Sequence, residues 1–197
     1  MTNKELEKEI KELKAEIAKM KAGNTAVAKK NWNEYTWDEL RETVANGTND
    51  FEIDNEQVKE IELYSGEKCE VVCYENEKGC MKFAFVVDGL WKMNETDTNK
   101  GGYEASKMNT VFVPRWEKML PEDMQGFKLK LPEYDELHEN PILLNLISEN
   151  EDRAYWWWTT QPKYTATFSC VSFSGYGGNG SAYYSYGVVL CFAISNQ

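Results

Sequence analysis

The sequence predicts an α+β domain over residues 32–197, preceded by a short helical segment. Three observations lead to this. Helical and strand-like stretches are segregated along the chain: a capped helix, a group of strands, a second helical region and a strongly β C-terminal third. A heptad seam is confined to the first 20 residues. Finally, the last Lys, Arg, Asp or Glu is Lys163, so residues 164–197 carry none of these charges. A stretch of that kind is part core and part unusual surface.

The N-terminal seam consists of Leu6, Ile10, Leu13, Ile17 and Met20, spaced four and three apart in turn. Ile10 and Ile17 take the a positions, and Leu6, Leu13 and Met20 the d positions. Glu9 with Lys14 and Glu16 with Lys21 supply g-to-e′ ion pairs between parallel chains. Residues 1–23 are therefore expected to form a coiled coil and 24–31 a linker. A homo-oligomer joined through residues 6–20 follows, as a parallel dimer or a trimer. The alternative is one amphipathic helix docked on its own domain.

Within the domain, Thr36 and Glu39 fit a capping box, Leu40 and Val44 share the following helix face, and Gly47 suits a helix C′ position. Strands are expected at 58–64, 70–74 and 81–87, with turns at 65–67 and 75–79. A second helix is expected from Tyr103 to Val113, stopped by Pro114. Leu120-Pro121-Glu122 and Leu131-Pro132-Glu133 open shorter helical pieces.

The net charge of −11 argues against nucleic acid or an anionic membrane surface as partner, because both require clustered Lys and Arg. No apolar run is long enough to span a membrane, and the charged start does not read as a signal peptide. Synthesis in a cytoplasm is the expectation. The five cysteines (69, 73, 80, 170 and 191) lack CxxC spacing and read as reduced, mostly buried thiols. The single histidine, His138, lies in an acidic stretch and reads as a surface helix residue. No catalytic constellation is apparent, and the expectation is a non-enzymatic protein without metal or cofactor. Asp88, Glu95 and Asp97 form only a loose acidic group.

Residues 164–187 contain five Tyr, five Ser and five Gly, which is 15 of 24 positions. Tyrosine supplies large amphipathic contact area with few torsions to freeze, and Ser, Asn and Gly supply adaptable polar groups; antibody paratopes use the same mixture. The other reading is Gly-rich turns between strands with aromatic cross-strand pairs. Against it, Gly175 to Ser181 reads as too flexible for a tight hairpin, with tyrosines exposed and lacking charged neighbours.

A series of local patterns over residues 32–195 resembles a phage and prophage domain family with the C-type-lectin fold. Its relatives include the variable proteins of diversity-generating retroelements and formylglycine-generating-enzyme-like domains. The likeness is carried by Trp37-Asp38-Glu39-Leu40 through Gly47, by Met93-Asn94, and by Asn99 with Gly101-Gly102-Tyr103 through Met108. It continues with Leu120-Pro121, Leu131-Pro132-Glu133 and Trp157-Trp158-Thr159-Thr160-Gln161-Pro162. Phe168, Val171 and Gly175 follow, then the closing stretch from Gly187 to Ile194. Asn109, Thr160 and Val189-Leu190 depart from family positions usually held by Arg, Arg or Ser, and Arg-Pro, so roles of those arginines do not carry over.

The resemblance implies a C-type-lectin-like ligand-binding domain with a C-terminal surface diversified by a retroelement. The ligand-facing positions would be Tyr164, Thr165, Thr167, Ser169, Ser172, Ser174, Tyr176, Asn179, Ser181, Tyr183, Tyr184 and Tyr186. Trp157, Trp158, Phe168, Val171, Val188, Phe192 and Ile194 would form the scaffold beneath them. The ligand would be a protein or a cell-surface structure, and the resemblance implies a protein made in a bacterial cytoplasm, with incorporation into a phage particle as a further step. The alternative function is an oligomeric virion or tail-associated structural protein with no diversified site. A formylglycine-generating relative would need a cysteine pair for copper, for which Cys170 and Cys191 are the possible neighbours.

Overall fold

The computed structural model describes residues 30–196. The expected coiled coil and nearly all of the linker lie outside the described residues. From Asn31 onward the chain is one compact α+β unit.

Seven strands form one sheet: β1 (Val58–Glu62), β2 (Lys68–Glu77), β3 (Cys80–Lys92), β4 (Trp156–Lys163), β5 (Thr167–Ser172), β6 (Gly177–Ser181) and β7 (Ser185–Ser195). Their order across the sheet is β1-β2-β3-β7-β4-β5-β6. The chain's last strand thus lies at the centre, antiparallel to β3 and, through Trp157 and Gly187, parallel to β4. β2 runs further than expected, and its turn is the tight pair Lys78-Gly79. β3 is also longer, because a bulge between Val87 and Trp91 lets it resume pairing with β7.

Alternation along the strands gives the sheet two apolar faces. On one, Phe83, Phe85, Val188, Leu190, Phe192, Trp158 and Phe168 pack beneath Trp32, Trp37, Leu40 and Val44 and beneath residues from the 103–131 region. Val72, Ala84, Val86, Trp157, Val171 and Val189 line the other, under Leu137, Leu143, Leu146 and Ile147. The expected scaffold side chains Trp157, Trp158, Phe168, Val171, Val188, Phe192 and Ile194 are all buried.

Helix α1 (Trp37–Ala45) starts as its sequence predicts. Thr36 Oγ1 accepts from Glu39 N–H at 3.2 Å, and the Glu39 carboxylate accepts from Thr36 N–H at 2.7 Å. Gly47 follows the helix at φ +62°, the left-handed conformation suited to a C′ residue.

The expected 103–113 helix is displaced. Residues 101–105 form turns, Met108–Phe112 a π turn, and α2 (Val113–Glu117) carries Pro114 inside its first turn. Proline there needs no N–H partner, and the extra residue of the π turn relieves the crowding its ring would cause. Pro114 therefore sits within a helix instead of stopping one. Helices α3 (Tyr134–Glu139) and α4 (Pro141–Glu149) follow the two Leu-Pro segments and cover the second face. No helix among the described residues is long and apolar enough to cross a membrane.

Candidate ligand-binding surface

The twelve positions singled out in the sequence are not one patch. β5 separates them, and from Thr167 to Ser172 it spans about 17 Å. Tyr164, Thr165, Thr167, Ser181, Tyr183 and Tyr184 gather at one end, on the β4–β5 and β6–β7 turns. Ser172, Ser174 and Tyr176 lie at the other end, around the β5–β6 turn.

The first end is braced from β3's side of the molecule. Asn99 Nδ2 donates to the carbonyls of Lys163, Tyr164 and Thr167, holding the β4–β5 turn from inside. Tyr164 adopts a positive φ of 46° within that turn, a conformation that a bracing side chain helps to maintain. Asn94 N–H donates to Ala182 O at 2.9 Å, and Ala182 N–H donates to Ala166 O at 2.9 Å, so the two turns are tied to each other. Ser181 Oγ donates to Asp97. Asn94 is itself fixed: Oδ1 accepts from Lys107 N–H, and Nδ2 donates to Thr98 O.

Of the five tyrosines among the twelve positions, four are exposed: Tyr164 at 80%, Tyr176 at 73%, Tyr184 at 56% and Tyr183 at 49%. Tyr183 does have a charged neighbour, contrary to the sequence expectation: Lys92 Nζ lies 3.8 Å from its ring centroid. Tyr186 is half-buried beside Trp158, centroids 4.4 Å apart, and burial pushes its hydroxyl above the ordinary range.

Two expected surface positions belong to the interior. Ser169 is buried on β5, and Ser172 is buried at the β5–β6 turn, where its Oγ accepts from Tyr176 N–H at 3.0 Å and pairs with Ser174 Oγ. Ser172 is therefore a turn cap. The glycine-rich run is likewise not a flexible loop. Gly177–Ser181 is strand β6, paired along its length with β5. Glycine is required because aromatic rings lie on this strand. A Cβ on Gly178 would sit 2.9 Å from the Trp156 ring, and one on Gly180 would sit 2.3 Å from Tyr186 and 2.8 Å from Trp158. Much of the Tyr/Ser/Gly bias is thus packing, and the surface share is carried by the tyrosines, Thr165, Ser174 and Asn179.

Sequence reasoning used Asn94 and Asn99 only as marks of family resemblance, whereas they position the tyrosine turns. Asp97 and Lys92 were missed in this role. Tyr155, exposed at the opposite end with Phe173 at 5.2 Å, was also missed. The usable signal was a polar loop with two asparagines between β3 and a Gly-Gly pair.

Among the described residues the cysteines are buried or half-buried, and Asp88, Glu95, Asp97 and His138 have partners. Burial pushes the thiols of Cys69, Cys73 and Cys170 up to about 12 and raises those of Cys80 and Cys191. Cys170 and Cys191 are not strand neighbours, since β4 runs between β5 and β7. Asp88 pairs with Arg153, Glu95 with Lys107, and Asp97 with Ser181, so the loose acidic group has three separate partners. His138 stacks on Tyr134 in α3 at 5.1 Å. Among the described residues no group of three or more His, Cys, Asp and Glu is arranged to hold a metal ion. No family model, curated protein or solved structure matches the chain.

Proposed function

We propose that this chain is a non-enzymatic binding protein of the C-type-lectin-like class, whose tyrosine end meets a protein or cell-surface ligand. The observation that carries the reading is the pairing of exposed tyrosines with braced backbone. Tyr164, Tyr183 and Tyr184 project from two turns whose main chain is held by Asn94 and Asn99. Rings presented from a fixed backbone lose little freedom on binding, which is the advantage of a pre-organised paratope. The proposal extends to a retroelement-diversified variable protein of phage or prophage type, on the sequence resemblance. Diversification then falls on the exposed positions and spares Gly178, Gly180, Ser169 and Ser172, which the packing holds fixed.

The test combines binding with stability. The full chain is screened against arrays of glycans and bacterial surface proteins, and the Tyr164→Ala, Tyr183→Ala, Tyr184→Ala triple variant is screened in parallel. The expected result is loss of the bound signal with a melting temperature close to the parent's. Retained binding moves the ligand elsewhere, and a variant that unfolds makes these rings structural.

A further inference from the structure

The two edges of the sheet differ in kind. β1 carries Lys59, Glu60 and Glu62, the sort of charged edge that discourages pairing with another chain. β6 reads Gly-Gly-Asn-Gly-Ser, with no charge, no proline and an unbroken register against β5.

The hydrogen-bond alternation shows which backbone groups face outward. Ala182 N–H donates to Ala166 O and Ser172 N–H to Tyr176 O, bracketing the β5–β6 ladder. In an antiparallel pair, every second residue directs its amide and carbonyl at the partner strand. Gly180 and Gly178 therefore face β5, and Gly177 and Asn179 present both N–H and C=O to the outside. Ser181 O is already taken by Tyr184 N–H. Rings flank this edge: half-buried Trp156 over Gly178 on one face, and the Tyr134 hydroxyl against Gly177 on the other. Tyr176 and Tyr183 stand exposed just beyond its two ends.

We infer that the β6 edge is a docking site for an extended, uncharged polypeptide segment of a partner protein, which adds to the sheet as a further strand. Main-chain bonds to Gly177 and Asn179 supply the pairing, and alternate side chains of the incoming strand pack beside Trp156 and Tyr134. The segment is uncharged because β5 and β6 carry no Lys, Arg, Asp or Glu, and the charges at the Ser181 end, Asp97 and Lys92, are engaged by Ser181 and the Tyr183 ring. A second copy of β6 fits less well. Pairing one Gly-Gly-Asn-Gly-Ser edge with another brings no apolar side chains to pack beside Trp156 and Tyr134. This site rests on the open backbone of β6 and not on the ligand assigned to Tyr164, Tyr183 and Tyr184.

The test uses the full chain and an equimolar pool of capped nine-residue peptides in which Val, Leu, Phe or Tyr alternates with Thr. Amide exchange at Gly177 and Asn179 is followed with and without the pool, for the parent and two variants. Asn179→Pro removes an outward N–H without touching the bonds to β5, and Asn179→Lys places a charge on the edge. The expected result is at least tenfold slower exchange at both amides in the parent, and at least tenfold weaker peptide binding in Asn179→Lys. Asn179→Pro is expected to match Asn179→Lys; should it unfold, Asn179→Lys alone decides. Absence of protection, or equal binding by Asn179→Lys, overturns the inference. Self-association of the parent that Asn179→Lys abolishes, without peptide protection, makes a second copy the occupant and also overturns it.

Discussion

A Cβ on Gly180 would stand 2.3 Å from the Tyr186 ring and 2.8 Å from the Trp158 ring, and the two rings pack on each other with centroids 4.4 Å apart, so a ring or the strand itself must shift. Gly180→Ala is therefore expected to lower stability by about 1–3 kcal/mol, the usual cost of overpacking. Asn179→Ala, on the exposed position beside it, is expected to stay within about 0.5 kcal/mol. Chemical denaturation of both variants checks the contrast. The buried thiols give a second prediction at this scale. Cys69, Cys73 and Cys170 hold their protons to about pH 12 when folded, against an ordinary value of 9.0. Their contribution is complete below pH 9 and is lost as pH rises through about 12. Stability should hold level near neutral pH, then fall above pH 9 by up to about 1.4 kcal/mol per pH unit for each buried thiol. Denaturation midpoints across that range measure it, and Cys73→Ala should shallow the slope. At this scale the sequence disclosed that residues 164–187 are unusual. It did not separate packing glycines from surface tyrosines, because that division depends on which strand lies under which ring.

Turns and caps decide how the elements present the tyrosines. Asn99 Nδ2 shares its two hydrogens among three carbonyls of the β4–β5 turn, so Asn99→Ala leaves the turn with only the Thr167 hydroxyl on Lys163 O and the long Asn99 N–H contact to Thr165 O. The expected cost is about 1–2 kcal/mol, with a larger loss in ligand affinity as Tyr164 is released from its left-handed backbone. Calorimetric unfolding together with a binding titration separates the two effects. The capping box of α1 makes a simpler case: Thr36→Ala should cost about 1 kcal/mol without touching the tyrosine end. Local signals of this kind were legible. Thr36, Glu39 and Gly47 marked α1, and Gly66 and Gly79 marked the turns around β2. The π turn before Pro114 was not, since no short-range pattern distinguishes a helix that stops at proline from one that widens to admit it. β6 was missed for a related reason. Three glycines in five residues imply a loop by propensity, and only the rings of Trp156, Trp158 and Tyr186 make them a strand.

Across the whole molecule, one sheet with helical cover on both faces brings the β3 loop, the β4–β5 turn and the β6–β7 turn to a common end. β7 makes this possible: being last in sequence and central in the sheet, it delivers the 182–184 turn beside the loop that leaves β3. The α+β class was legible from the order of elements. The strand order was not, because it rests on pairings between residues about a hundred positions apart, such as Phe83 with Phe192. The division of the twelve expected positions between two ends of β5 was hidden locally, because the glycine run that pairs with β5 as β6 read as a loop. The central claim is that a fixed packed frame carries a ligand surface concentrated at the exposed tyrosines. Sequencing this gene, with its flanks, across a natural population tests it most directly. The account predicts variation concentrated at codons 164, 165, 183 and 184, with 178, 180, 169 and 172 held constant; a near-copy template beside the gene would identify the retroelement mechanism. Variation spread evenly through residues 164–187, or falling on the packed glycines while the tyrosines stay fixed, would contradict it.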